Sequence, residues 1–409
     1  MKNSQFNGFI QDSEDVVVYN VLTKGSIRFR NTNINSVRDF LNNTEKKELF
    51  DMGFISDDNE IVATKENYKK IKIDTMNPMV NIVTTYNCNC KCSYCFECVE
   101  GKRQDGREID KVVEYLDGWY KDCKTTAPLI INYFGGEPLL NVDIITEIHD
   151  SLSARGVSLS EIVTTNGTLL SDATVKKLSE RDIFGYQITI DGPRNIHDFR
   201  RPMKSGASSF DKIIENVNRM IIEDRNAAKM SIKIRINIDE ENVEFLTELF
   251  SQIPTKVKEA DNIEFYISPV LGKKYDSYKE MLDVKSNNTL RAWEIIRSNN
   301  LPISIDLPRF SPCSFNSEKT AFYIDLSGNI YSCGSNVGDF STIEGKYGDR
   351  NKLFEKRINR EIKNDCFKCR FFYECMGGCN FEERINQNNC QFPYFEKIYE
   401  DYYKNIELR

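Results

Sequence analysis

A chain of 409 residues with 55 basic and 62 acidic side chains has a formal charge of −7, which argues against the cationic stripe of a nucleic-acid binder or the basic patch of a membrane-surface protein. No apolar run approaches about eighteen residues, and the opening MKNSQFNGFIQDSED carries neither part of a signal peptide; a soluble, cytoplasmic protein without a membrane or nucleic-acid partner is expected. Thirteen cysteines in a reducing compartment read as metal ligands rather than disulfides, and two histidines, His149 and His197, argue against histidine-rich zinc or non-haem iron chemistry.

The length accommodates two or three cores. Residues 1–76 read as a small separate unit. Alternating runs at Asp15–Val21 and Ser26–Arg30 predict a hairpin around Lys24-Gly25, with helices around Ser36–Leu41 and Thr44–Met52 and a short strand at Ile61–Val62. That order suits a winged-helix-like peptide-binding module; a plain N-terminal cap on the main domain is the alternative.

From Met79 the pattern becomes strand–helix alternation. Strands are predicted at Met79–Thr85, Pro128–Phe134, Ser158–Thr165, Gly185–Ile190, Ser231–Ile238 and Ile263–Ser268. Helices are predicted at Glu108–Tyr120, Val142–Leu152, Asp172–Glu180, Phe210–Ile222, Asn242–Gln252 and Asp276–Ser298. Near-continuous apolar strands in this rhythm imply a parallel sheet with right-handed crossovers. The repeats fall short of a closed eight-unit barrel, so the fold class is α/β: a partial (β/α)6 TIM-like barrel over residues 77–304, with its site at the C-terminal strand ends. Residues 305–409 lose the rhythm, become rich in Cys, aromatics and Gly, and are expected to fold around bound metal.

Cys88, Cys92 and Cys95 follow the first barrel strand directly as C-x3-C-x2-C. Three close thiolates can hold three irons of a 4Fe–4S cube and leave the fourth iron open for chemistry. Cys90 and Cys98 lie nearby, so spacing alone does not settle which three bind. A zinc knuckle completed by one of the extra thiols is the alternative.

Tyr86–Phe96, read as Y-N-C-N-C-K-C-S-Y-C-F, resembles the C-x3-C-x-aromatic-C signature of radical S-adenosylmethionine (radical SAM) enzymes. In that family the open iron binds the amino and carboxylate groups of S-adenosylmethionine, and electron transfer yields a 5′-deoxyadenosyl radical that abstracts a substrate hydrogen. Gly135-Gly136-Glu137-Pro138 ends strand two and looks like the family's GGEP element, where backbone groups and the Glu carboxylate hold the methionine ammonium; alone it would read as a turn. Thr165-Asn166-Gly167 ends strand three. Thr189-Ile190-Asp191-Gly192-Pro193, followed by His197-Asp198 and Arg201, resembles the family's S/T-x-D-G-P…H-D…R segment. By that resemblance Tyr94 packs near the adenosyl moiety, Thr189 bonds a ribose hydroxyl and Arg201 faces the carboxylate. Arg200 stands next door and is poorly separated from Arg201 by sequence. His197 reads equally as a structural turn residue.

Cys313, Gly328-x4-Cys333, Cys366-x2-Cys369-x5-Cys375-x3-Cys379 and Cys390 resemble the seven-cysteine SPASM domain, which carries auxiliary 4Fe–4S clusters; a double zinc ribbon is the alternative. Carried across, the resemblance puts Cys366, Cys369, Cys375 and Cys390 on an outer cluster and Cys313, Cys333 and Cys379 on an inner one, three 4Fe–4S clusters in all. Ser314–Thr320 lacks the further cysteine of four-ligand inner clusters, so an open iron, a seat for a substrate thiolate, is expected there. Cys90, Cys98 and Cys123 remain as spares, read as small hydrophobes or free thiols.

The resemblance implies a peptide maturase that forms cysteine thioether crosslinks of the sactipeptide or ranthipeptide type. Its partners would be a ribosomally made precursor peptide, with an N-terminal leader and a Cys-containing core, and an external flavodoxin- or ferredoxin-type electron donor. Residues 1–76 would grip the leader as an added strand. Sulfatase-maturing enzymes, which make formylglycine, are the nearest rival, but they carry Asp after the cysteine matching Cys333, where this chain has Gly334. Carbon–carbon crosslinking or epimerisation stays open. A multi-cluster electron carrier is the non-enzyme alternative, disfavoured because a carrier needs no nucleotide-sized site.

Overall fold

The computed structural model describes residues 1–57, 59–74, 77–95, 108–222, 224–270, 275, 277–307, 322–347, 361–379 and 390–406, without the side chains of 71–74. Nine strands form the main sheet in the order β11-β10-β9-β8-β7-β6-β12-β13-β14. The strands β6 (Met79–Thr85), β7 (Leu129–Gly135), β8 (Leu159–Thr165), β9 (Gly185–Thr189), β10 (Ser231–Ile238) and β11 (Ile263–Pro269) are the six expected ones, every neighbouring pair parallel. The sheet does not close on itself, as expected of a partial barrel.

One face of each strand is apolar. Ile82, Ile131, Val163, Ile188, Ile232, Ile234 and Ile236 are buried in a core shared with α4 (Ile109–Asp122), α5 (Val142–Ser153), α6 (Asp172–Ser179), α8 (Ser209–Ile222), α9 (Leu246–Gln252) and α11 (Tyr278–Asn299). The other face is polar and cross-linked between strands. Asn132 donates to Asn81 at 2.8 Å and accepts from Thr164 at 2.8 Å, and Tyr266 donates to Gln187 at 2.8 Å. These strands are thus not apolar throughout, because their second face carries polar side chains that satisfy one another across the strands.

Part of the C-terminal segment, where the β–α rhythm stops, joins the same sheet. β12 (Phe322–Asp325) pairs parallel with β6, and β13 (Asn329–Tyr331) and β14 (Gly345–Lys346) continue antiparallel. Phe322 and Ile324 bury on the helix side, so adding a strand satisfies the β6 edge and extends the same core.

In the N-terminal region, β1 (Lys2–Asn3) pairs with β5 (Ile55–Ser56), and β2 (Asn7–Asp12), β3 (Asp15–Asn20) and β4 (Ser26–Phe29) form an antiparallel meander with α1 (Ile34–Asn42) and α2 (Lys47–Asp51) nearby. The β3–β4 hairpin matches expectation; β2 is an addition, its polar Asn-Gly and Gln-Asp ends having hidden it. Ile61–Val62 is not a strand. Both residues lie exposed in α3 (Glu60–Asp74), because Glu60 ties the helix start to Ser4 (2.7 Å) and Gln5 (2.8 Å) and the following Lys- and Glu-rich stretch favours helix. Among the described residues no helix is long and apolar enough to cross a membrane.

Candidate active site

The loop carrying Cys88, Cys92 and Cys95 leaves the C-terminal end of β6. Its backbone is laced to the segment after α7 (Arg194–Arg200): Lys91 N–H donates to Pro202 O (2.9 Å), Ser93 N–H to Arg200 O (2.9 Å), and Lys204 N–H to Asn89 O (2.8 Å). On the other side, the Gly135-Gly136 turn lies directly on the root of the loop. Gly136 N–H donates to Thr85 O and Glu137 N–H to Asn87 O, each at 2.9 Å. A Cβ on Gly136 would sit 2.3 Å from Asn87 O, and Gly135 combines φ +122° with the same 2.3 Å approach to Thr85 O. Only two glycines let these turns meet.

Glu137 is completely buried, and its carboxylate points inward. It accepts from Thr165 Oγ1 (2.7 Å), Asn166 N–H (2.8 Å) and Leu139 N–H (3.0 Å). Burial raises its pKa to about 7 against the opposing pull of these donors. The side chain therefore clamps the ends of β7 and β8 together. Asn166 extends the clamp, donating to Asn89 Oδ1 at 2.8 Å and approaching Cys88 Sγ at 3.8 Å. The Thr165-Asn166-Gly167 segment was legible as a strand end, but this contact with the cysteine loop was not.

A second network gathers Tyr94, Asp191, Arg201 and Asn237. The Tyr94 hydroxyl donates to Asp191 and accepts from Arg201 and, at 3.1 Å, from Asn237 Nδ2. Asp191 also accepts from Asn237 N–H (3.1 Å) and stands 3.7 Å from the Arg201 guanidinium. Asn237 was missed in the sequence; its only signal is a polar residue among the alternating isoleucines at the end of β10. The two arginines are now separable. Arg200 is spoken for by a two-pronged contact with Asp239 (2.9 Å twice) and by Glu241 (2.7 Å). Arg201 faces the Tyr94–Asp191 pair and acts electrostatically on Cys88 and Cys90. Thr189, at the end of β9, is nearly buried opposite Arg235.

His197 takes the structural role. Its Nδ1 accepts from Asp191 N–H at 3.1 Å, its Nε2 has no partner, and burial lowers its pKa to about 3. The folded state thus holds a neutral imidazole that the unfolded chain protonates below about 6.5. Stability from this group is full above that value and is lost as pH falls toward 3. We expect His197→Gln to lose less stability than wild type between pH 7 and pH 4.5 in urea titrations, by up to a few kcal/mol.

Among the thiols, Cys88 and Cys90 share a hydrogen bond that favours the Cys88 thiolate and keeps the proton on buried Cys90. Cys366, Cys369, Cys375 and Cys390 lie within electrostatic reach of one another. Burial, with added repulsion from Cys390, raises the Cys369 pKa and pushes that of Cys375 up to about 11. Cys333 follows β13, and Cys379 closes the described stretch 361–379. Cys98 and Cys313 lie outside the described residues. Among the described residues no three side chains are already closed on a metal-sized point. Soft sulfur donors in that number suit iron–sulfur ligation.

Residues 82–249 match the radical SAM superfamily. The cysteine-type anaerobic sulfatase-maturating enzyme of Clostridium perfringens (strain 13 / Type A) is 24% identical over 350 residues, covering 78% of this chain and 92% of that protein. The fold is similar to that of native anSMEcpe with bound AdoMet (TM-score 0.61, 19% identity, 81% of this chain and 98% of that one). It is also similar to Streptococcus suis SuiB bound to precursor peptide SuiA (TM-score 0.55, 15% identity, 95% and 97%). With the three-cysteine loop, the double-glycine turn and the Tyr94 network at one end of its sheet, the chain carries a radical SAM domain over residues 82–249, which makes it an enzyme.

Proposed function

We propose that this enzyme matures a ribosomally made peptide and that its product is a cysteine thioether crosslink. The observation that carries the radical step is the convergence on one loop: Cys88, Cys92 and Cys95 are laced to Arg200–Lys204 on one side and to the Gly135-Gly136 turn on the other. In this reading the three cysteines hold the cluster. The carbonyl groups of the Gly135–Glu137 turn receive the methionine ammonium, since the Glu137 carboxylate is already engaged beneath. Arg201 pairs with the methionine carboxylate, Tyr94 packs beside the adenosyl group and Thr189 meets the ribose. When bound, the reduced cluster supplies the electron that cleaves the sulfonium and releases a 5′-deoxyadenosyl radical. The protein's part is to orient and to keep the cavity dry.

The substrate class is supported by the kinds of protein the chain is similar to, one of them named a sulfatase-maturating enzyme and another crystallised with a precursor peptide. Residues 1–76 would form the leader module. Among the described residues β4 is the end strand of this sheet, pairing with β3, and it is where a leader strand would be added. Residues 305–409 would form a SPASM-type domain holding the outer cluster on Cys366, Cys369, Cys375 and Cys390 and the inner one on Cys313, Cys333 and Cys379. The thioether reading gains from Gly334. A Cβ there would meet the Tyr323 hydroxyl at 2.8 Å, so tyrosine fills the space a side chain after Cys333 would need. Formylglycine formation is the second reading, favoured by the sulfatase-maturating relative.

The test is mass spectrometry on the anaerobically reconstituted enzyme given dithionite, S-adenosylmethionine and a cysteine-rich precursor. A thioether would form when a carbon loses hydrogen to the deoxyadenosyl radical and bonds to sulfur, the thiol proton leaving to solvent and the surplus electron passing to an auxiliary cluster held by the C-terminal cysteines. The expected product lacks two hydrogens, keeps its sulfur and resists thiol alkylation. A product that loses sulfur and reacts as an aldehyde would establish the second reading. Deoxyadenosine with unchanged peptides of both kinds would refute both.

A further inference from the structure

The N-terminal unit is built into the wall of the outer four-cysteine site. Its contacts land between the cysteines. Gln5 Nε2 donates to the carbonyl of Phe367, between Cys366 and Cys369, at 3.2 Å. Tyr68 packs edge-on against Phe367 and Phe372 with ring centroids 5.9 and 5.6 Å apart, and Phe6 meets Tyr373 at 5.6 Å. These rings form one buried cluster with Met376. On the neighbouring side, Tyr19 of β3 stacks on Tyr403 at 4.8 Å, in α13 (Phe392–Ile406).

An ion pair also crosses this seam. Glu374 lies in α12 (Phe372–Cys375), directly before Cys375, and its side chain is 2% exposed. Its carboxylate is paired with the Lys24 ammonium, and its other oxygen is buried without a hydrogen-bond partner. Lys24 is held for this contact. It sits at φ +60° in the β3–β4 turn, its N–H donates to Asn20 O at 2.9 Å, its carbonyl accepts from Tyr403 Oη at 2.8 Å, and its ammonium also meets the Tyr399 hydroxyl. The Lys24 side chain is 34% exposed, so the buried partner is Glu374; removing the lysine leaves that carboxylate a charge to be hydrated, and hydration requires the helix bearing it to move.

We propose that Lys24 is a positioning residue for the outer auxiliary cluster: by neutralising Glu374 it holds the Cys366–Cys375 segment in the geometry that closes on iron. The proposal rests on the reading of Cys366, Cys369, Cys375 and Cys390 as one ligand set. It also means that the N-terminal unit is not a detachable recognition domain, since its loss would strip the wall from the cysteine site.

The experiment uses the full chain reconstituted anaerobically with iron and sulfide, read by iron content and by electron paramagnetic resonance after dithionite reduction. Cys369→Ala identifies the outer-site signal. We expect Lys24→Met to lose about a third of the iron, roughly four of twelve atoms, together with that signal, while the first cluster still yields 5′-deoxyadenosine. Lys24→Arg should retain both. Because Lys24→Met alone could unfold the seam, Lys24→Met with Glu374→Leu is the companion variant, and it should recover iron since no buried charge is left unpaired. Wild-type iron and spectrum in Lys24→Met, or a folded double variant as iron-poor as the single one, would overturn the proposal. Full iron in Cys369→Ala would instead sink the reading of the outer ligand set, and the proposal with it.

Discussion

Cys92→Ala should leave a folded protein whose 5′-deoxyadenosine formation falls to the level of a reaction without enzyme. The loop around Cys92 is positioned by backbone hydrogen bonds at Lys91, Ser93 and Lys204 and by the glycine turn, none of which uses the thiol. In our reading, losing the sulfur removes a cluster ligand and leaves this backbone scaffold in place. The effect is total because the protein has no substitute for the electron the cluster supplies; its own groups only bind and orient. The informative contrast is Cys90→Ala. Cys90 is buried and hydrogen-bonded to Cys88, and spacing alone leaves it a candidate ligand. In our reading it is a packed spare, so Cys90→Ala should keep cluster absorbance and nucleoside cleavage within a few-fold of wild type. Anaerobic chromatography of the nucleoside products measures both variants. Equal loss in the two would move the ligand set.

Arg200→Met should produce the largest loss of stability at any residue outside the cluster loop. The Arg200 side chain is 1% exposed and Asp239 3%. Truncating the guanidinium would leave that carboxylate buried without its ion partner, a change worth about 3–5 kcal/mol. The contact with Glu241 adds little, since that side chain is 53% exposed and screened by water. The damage should spread to the site. The Arg200 carbonyl anchors Ser93, and its guanidinium lies 5.2 Å from the centre of the Tyr94 ring. Arg200→Met should therefore unfold at markedly lower denaturant and bind S-adenosylmethionine more weakly. Arg200→Lys should recover part of the stability, because a single ammonium cannot reproduce the planar two-pronged contact. Arg201→Lys, by contrast, is expected to spare stability more and cofactor binding less. Denaturant titration paired with equilibrium binding separates the two arginines.

That separation marks the boundary between what is local and what is not. The six parallel strands were legible to within one residue at every end, because a short apolar-rich run bounded by polar and turn residues is a local signal that no distant contact needs to confirm. The cysteine spacing was equally local, since a ligand set on one loop must be close in sequence. So was the pair of glycines, which the meeting of two turns demands. The strand expected at Ile61–Val62 failed for the opposite reason. A strand of two residues has no local signature, and Glu60 settled the matter by reaching back to Ser4 and Gln5.

The chain's own order of residues thus determined a parallel α/β sheet with a thiol loop and a double-glycine turn at its C-terminal end. Only the tertiary structure decided that Arg200 belongs to Asp239 while Arg201 faces the site, that Glu137 turns inward, that β12 joins the edge of β6, and that Lys24 meets Glu374. Each of these joins residues far apart in the chain, 350 positions in the last case. Their choice of partner depends on which charges and apolar faces the folded chain leaves exposed to one another, and no periodicity along the sequence records that.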